Sequence, residues 1–328
     1  MRSSNNFNSL FKNSFFTFVI VLTFVSFNGL TTADSKQNKK PPEEQKNDQD
    51  DPLRLNTDLI VLSVTVTDEA GKYAHGLKAK DFALTEDGVS QSVDSFSAEE
   101  APFAAAILVD MSGSMNYKFS LVRAAAASFV EQIRDNDQVA VYGFNNQVKR
   151  FQDFSNVRDI TDYIWDAEAR ESTKLYDCLN EAIDALAARD EKRRAILLIS
   201  DGCDTSSKSN LDAVMKKALA AGVNIYTVDL TDSSDTTVSS NERLMLQRGR
   251  SEMKEFANQT GAQYVYSPKG DNLQEAFTNI IDELRNQYTL TYYTTNSKHD
   301  GRYRKINLAM LQPKLSARTR RGYYAPKK

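Results

Sequence analysis

Five residues, Asp110-Met111-Ser112-Gly113-Ser114, place one carboxylate and two hydroxyls on a short stretch of chain. Such oxygens are ligands for a hard divalent cation, and Mg²⁺ takes about six of them in near-octahedral array. Gly113 is expected to relieve the backbone of so tight a loop. A second carboxylate, Asp201, follows another apolar run that ends at Ser200. Two carboxylates only just balance a divalent charge, and the serines are neutral ligands. A cation held without surplus negative charge stays electrophilic, so it can accept one more carboxylate from outside. The residue types predict a site that binds, not one that merely clips the chain.

The elements that must position these residues lie in residues 101–287. Phe103 to Val109 is a continuous apolar run, as in a strand buried on both faces. Leu121, Ala124, Ala125, Phe129 and Ile133 recur at helical spacing. Val139 to Phe144 reads as a strand, with Val148 to Phe154 returning antiparallel beside it. Leu175, Cys178, Leu179, Ala182, Ile183 and Leu186 form one helix face. A strand over Ala195 to Ser200 and a helix over Leu211 to Ala221 follow. Val223 to Leu230, a helix ending near Gly261, Ala262 to Tyr266 and a helix over Leu273 to Leu284 complete the series. Repeated β-α units predict an α/β fold with a doubly wound, mostly parallel, Rossmann-like sheet. Ligands bind such sheets at the carboxyl ends of the strands, where Asp110 and Asp201 sit.

On both sides of this region the apolar period is two. Ile60, Leu62, Val64 and Val66 mark a half-buried strand in residues 53–100, and Asp87-Gly88 is a hairpin signal. Tyr288, Leu290 and Tyr292, then Ile306, Leu308 and Met310, then Leu315 and Ala317, repeat the pattern in residues 288–328. Each set is too small to close a core alone. Both ends are therefore expected to pair into one small β-sandwich, with the α/β region inserted. Arg302, Arg304, Lys305, Arg318, Arg320 and Arg321 are read as the solvated faces of these strands.

Residues 1–33 read as a signal peptide: Arg2 and Lys12 lie in a basic, polar start, an apolar run follows, and Thr31-Thr32-Ala33 offers a cleavage site. The alternative is an uncleaved membrane anchor, since the run approaches the roughly 17 residues that span a bilayer. Residues 34–52 are Lys, Gln, Asn, Asp, Glu and Pro with almost nothing apolar, a disordered linker by composition. The chain is thus expected to be exported to a periplasmic, secreted or cell-surface location.

Composition excludes several functions. Arg2 and Lys12 carry the charge of residues 1–33, so cleavage moves the formal net charge from −3 to −5 and leaves no case for nucleic acid. Cys178 and Cys203 lack CxxC spacing, which argues against zinc. They are either small core residues or an oxidised pair. Enzyme chemistry is not expected. A phosphatase of the haloacid-dehalogenase type needs a second acid two positions after Asp110, where Ser112 stands. There is no GxSxG elbow, and both histidines, His75 and His299, fall in the β regions.

With these residues in view, the chain resembles a von Willebrand factor type A domain, and Asp110-Met111-Ser112-Gly113-Ser114 matches that family's DxSxS metal-ion-dependent adhesion site. Thr173 and Asp201-Gly202 match its later elements, so the resemblance implies Asp110, Ser112, Ser114, Thr173 and Asp201 as metal ligands. It implies Mg²⁺, Mn²⁺ or Ca²⁺ as the ion, and a protein partner presenting an Asp or Glu carboxylate. Val66-Thr67-Asp68, Asp81-Phe82 and Gly322-Tyr323-Tyr324 resemble a bacterial subgroup, of acidobacterial type, related to this domain. That subgroup carries two glycines before the threonine, where this chain has Glu171-Ser172. An added glutamate either tightens the metal or repels an acidic ligand. The alternative function is a structural scaffold whose metal site is empty or only stabilises the fold. Residue by residue, Asp110, Ser112 and Thr173 could instead be helix caps, Asp201-Gly202 an ordinary turn, and Asp204 is read as a turn residue.

Overall fold

Alternation decides the first element: Ile60, Leu62, Val64 and Val66 are buried on one face of β1 (Leu59–Asp68), whereas Leu59 and Val61 are exposed on the other. The computed structural model describes residues 58–98, 101–158, 172–232, 238–270 and 272–327. The leader and linker expected in residues 1–52, and Glu171, lie outside the described residues. β2 (Phe82–Glu86) and β3 (Val89–Ser90) form the hairpin at Asp87-Gly88, and β4 (Ser95–Ser97) follows. Asp87 and Gly88 both have positive φ, 48° and 84°, as a type I′ turn requires.

The α/β region then runs β5 (Phe103–Asp110), α1 (Phe119–Glu131), β6 (Gln138–Phe144), β7 (Val148–Ser155), α2 (Leu175–Ala187), β8 (Arg193–Ser200), α3 (Leu211–Ala221), β9 (Val223–Asp229), α4 (Ser240–Thr260), β10 (Tyr264–Tyr266) and α5 (Leu273–Asn286). Its six strands lie in the order β10-β9-β8-β5-β6-β7, parallel except for the antiparallel edge β7. All of β5 is buried because its two faces serve two cores. Phe103, Ala105, Ile107 and Val109 pack with residues of α1 and α5, whereas Ala104, Ala106 and Leu108 pack with residues of α2 and α3.

The buried face of α1 is Val122, Ala125, Ala126, Phe129 and Val130. Leu121 and Ala124, expected inward, are exposed. The alanine-rich run fits two registers one residue apart, and tertiary packing against Phe103 and Phe277 chooses between them.

The chain returns through β11 (Tyr288–Tyr293), β12 (Tyr303–Met310), β13 (Leu315–Arg318) and β14 (Gly322–Tyr324). These strands complete two antiparallel sheets, β13-β1-β11-β4 and β14-β12-β2-β3. Ile60, Leu62, Val64, Phe82, Leu84, Leu290, Tyr292 and Ile306 from both sheets share one core, so the α/β region is inserted between β segments that form a sandwich. Among the described residues no helix is long and apolar enough to cross a membrane.

Two buried groups tie the insertion to the sandwich. Glu283 of α5 accepts hydrogen bonds from Thr65 of β1 at 3.1 Å and Tyr226 of β9 at 2.9 Å, and pairs with Arg318 of β13 at 2.5 Å. Arg193 donates to the carbonyls of Ala101, Leu284, Arg285 and Gln287, where the insertion is entered and left. The late basic residues are thus not all solvated. Arg304 is buried and meets Asp300 at 3.1 Å, Arg318 reaches buried Glu283, and Arg320 donates to Leu219 O and Val61 O at 2.8 and 3.0 Å. Periodicity alone could not show this for Arg318 and Arg320, because their partners come from distant segments.

Candidate metal centre

Asp110 is the last residue of β5, and Ser200 is the last of β8. Val109 lies opposite Ile199 in the parallel register, which sets Asp110 beside Ser200. β6 lies on one side of β5 and β8 on the other, so the site occupies the switch point of the sheet, where diverging loops leave a crevice.

Four of the five expected ligands form one hydrogen-bonded string. Asp110 Oδ1 accepts the Ser112 N–H at 2.9 Å. Ser112 Oγ and Ser114 Oγ are 3.0 Å apart, and Ser114 Oγ donates to Asp201 Oδ2 at 2.7 Å. Asp201 Oδ1 accepts the Cys203 N–H at 3.0 Å. Asp110, Ser112 and Asp201 are buried and Ser114 is exposed, so the string opens to solvent at Ser114. Burial, then the neighbouring Asp201 carboxylate, pushes Asp110 up to about 7.

Thr173 arrives by its backbone. Its carbonyl accepts from the N–H groups of Thr205 and Ser206 at 3.0 and 3.1 Å, and its N–H donates to Thr205 Oγ1 at 2.8 Å. The loop before α2 is thereby stitched to the loop after Asp201, and Thr173 is buried there. No hydrogen bond joins its hydroxyl to the other four residues.

Helix capping does not explain these hydroxyls. Ser112 precedes a 3-10 turn, Gly113–Lys118, without a side-chain cap, and the residue that starts α2 is Lys174, not Thr173. Gly113 does not relieve strain: its φ is not positive, and a Cβ there would meet open space. The glycine that matters is Gly202, with φ +80°, where a Cβ would come within 2.6 Å of the Gly249 carbonyl oxygen on α4.

Two residues escaped the reading of the sequence. Ser200 Oγ donates to Asp110 Oδ2 at 2.5 Å and accepts the Gly202 N–H at 2.9 Å. The signal for it was a lone hydroxyl closing an apolar strand directly before Asp201. Thr205, which ties down Thr173, carried no local signal. Asp204, read as a turn residue, does accept from Ser207 Oγ at 2.5 Å three positions on, and its carboxylate also accepts the Tyr176 N–H at 3.3 Å, holding the start of α2.

Among the described residues no three His, Cys, Asp or Glu side chains gather as a metal cluster. The set here is two acids completed by hydroxyls, a donor chemistry that fits a hard cation and not zinc. Cys178 and Cys203 are both free thiols, not a disulfide.

The sequence profile of the von Willebrand factor type A domain matches residues 106–279, just over half of the chain. The chain belongs to the von Willebrand factor type A domain family. Solved structures similar to it include a type A domain from Catenulispora acidiphila, with 10% identity over 82% of this chain and 72% of that one at a TM-score of 0.47. An aerotolerance-related membrane protein from Bacteroides fragilis is 18% identical over 56% of this chain and 98% of that one, at a TM-score of 0.41. The pilus adhesin SpaC from Lactobacillus rhamnosus GG, in an open conformation, is 11% identical over 75% of this chain and 48% of that one, at 0.45. No curated protein matches the chain.

Proposed function

We propose that this type A domain protein is an exported binding module that grips an acidic group of a partner protein through a divalent cation. The observation that carries the reading is the Ser112–Ser114–Asp201 string of oxygens, anchored on buried Asp110 and open to solvent at Ser114. Family membership supports the interaction role, and residues 1–33 support export.

Asp110, Ser112, Ser114, Thr173 and Asp201 would hold the ion, with Mg²⁺, Mn²⁺ or Ca²⁺ as candidates. When bound, a divalent cation supplies an electrophilic centre for a partner's Asp or Glu carboxylate. The chain's part is orientation. Ser200 and the Ser112 N–H fix both oxygens of Asp110, and the Cys203 N–H fixes one of Asp201, so the carboxylates are aimed before anything binds. A non-enzymatic role is supported by the placing of the histidines: His299 pairs with Asp58 at 2.9 Å in the sandwich, and His75 follows β1.

One observation favours the alternative, a scaffold whose metal site is empty or only stabilising. Both oxygens of Asp110 and both of Asp201 already accept hydrogen bonds, so the loops close on themselves. Capture of partners from the native surroundings, with and without chelator, separates the two readings. Loss of the captured protein on chelation is expected; capture indifferent to chelator would establish the scaffold.

A further inference from the structure

A second concave surface lies away from the metal centre, where the sandwich meets α3. This cavity, of about 670 Å³, is lined by Leu59 and Val61 of β1, Leu219 and Ala221 of α3, and Tyr323 and Tyr324 of β14. Its size and apolar lining are those of a ligand site.

Two strand edges face it. β13 pairs only with Thr65–Asp68 of β1, so the first half of β1 has no strand partner on that side among the described residues. The carbonyls of Val61 and Ser63 point there, since they accept from Arg320 and from Thr319 Oγ1 at 3.0 and 2.8 Å. Asp58 O accepts from Thr294 on the opposite side, so by alternation Leu59 presents its backbone groups to the groove. β14 is the edge of the second sheet. Ala325 N bonds to Arg302 O and Ile306 N to Arg321 O, which turns the odd-numbered residues toward β12 and the backbone groups of Tyr324 outward. Val61 O is held by a side chain, Arg320, and not by a strand, and edges without a strand partner are templates for another strand.

The rim is cationic. Arg194, Lys216, Arg320 and Lys327 line the cavity, and none pairs with a carboxylate among the described residues. The two arginines donate to carbonyls, including Ala221 O and Leu219 O at the end of α3, and Lys216 lies over the Tyr324 ring at 5.2 Å. The acid on the lining, Asp58, is engaged by His299. Helix-end carbonyls explain the arginines in part, but Lys216 and Lys327 remain exposed beside exposed Leu59 and Val61.

We propose that this groove takes an extended, acidic peptide segment of a partner protein as an added β-strand along β1 at Leu59–Val61, its carboxylates facing Lys216 and Lys327. Main-chain pairing supplies the affinity, and alternate side chains meeting the apolar floor and the basic rim supply the selectivity.

The test uses the full chain and a labelled short peptide of alternating Glu and Val, followed by fluorescence anisotropy at low salt. Binding is expected in chelator and in Asp110→Ala as well as in Mg²⁺, which separates this groove from the metal centre. The double variant Lys216→Glu, Lys327→Glu is expected to weaken it about tenfold or more, and methylation of alternate peptide amides to abolish it. Absence of binding, equal binding of a Lys-Val peptide, indifference to amide methylation, or binding of decanoate in place of the peptide would each overturn the proposal.

Discussion

The hydroxyl of Ser200 donates across the β5–β8 boundary to Asp110 Oδ2 at 2.5 Å, so a residue outside the proposed ligand set fixes a buried carboxylate of that set. Ser200→Ala leaves that buried oxygen without its donor and removes the acceptor of the Gly202 N–H. A loss of about 1–3 kcal/mol is expected in urea unfolding. Ser200→Thr keeps the hydroxyl and should restore most of it.

Mg²⁺ or Mn²⁺ is expected to raise the melting temperature, by about 2.7 kcal/mol of added stability at a hundredfold excess over Kd. Asp110→Ala should abolish the shift while leaving a cooperative unfolding transition. A wild-type protein whose melting curve ignores both ions would turn the reading to a scaffold.

Gly249→Ala probes the contact between α4 and the Asp201 loop, because its Cβ would lie 2.7 Å from Gly202 backbone atoms. Overpacking of about 1–3 kcal/mol is expected. The loop must shift to accommodate it, so weaker metal binding by calorimetry should accompany the lower unfolding midpoint. Unchanged stability would show that α4 does not hold this loop.

Glu283→Ala strands Arg318 and leaves Thr65 Oγ1 and Tyr226 OH without their acceptor inside the protein. Arg318 is partly exposed and can turn to water, so the cost comes mainly from the stranded hydroxyls, about 1–3 kcal/mol, measurable as a lowered denaturation midpoint. Glu283→Gln keeps an acceptor oxygen for those hydroxyls and should cost less.

Burial raises both thiols, Cys178 well above its ordinary value and Cys203 also upward, with the Asp201 carboxylate adding to the latter. Thiolate is the reactive form, so alkylation at about pH 8 should be slow in the native chain and fast once it unfolds. Rapid labelling of Cys203 in the folded state would contradict its surroundings.

Much of the fold was legible because its signals are local. The unbroken apolar run of β5 follows from its two cores, the alternation of β1 from its single buried face, and the Asp87-Gly88 turn from two positive φ angles. That Asp110, Ser112, Ser114 and Asp201 come together was legible through the DxSxS spacing and an acid directly after a second apolar strand. What escaped depended on contacts between distant segments. Ser200 acts on Asp110 ninety positions away, Thr205 on Thr173, and Arg318 on Glu283. The register of α1 was ambiguous for a different reason, since alanines fill either face equally well.

Arg193 gathers the carbonyls of Ala101 and Gln287, so the insertion leaves the sandwich by two neighbouring strands of chain and not by a single thread. A tug on anything held at the Asp110 end of the sheet would travel down β5 and β8 and divide between two tethers. The guanidinium is the bridge between those tethers, so its loss is expected to let them separate under load.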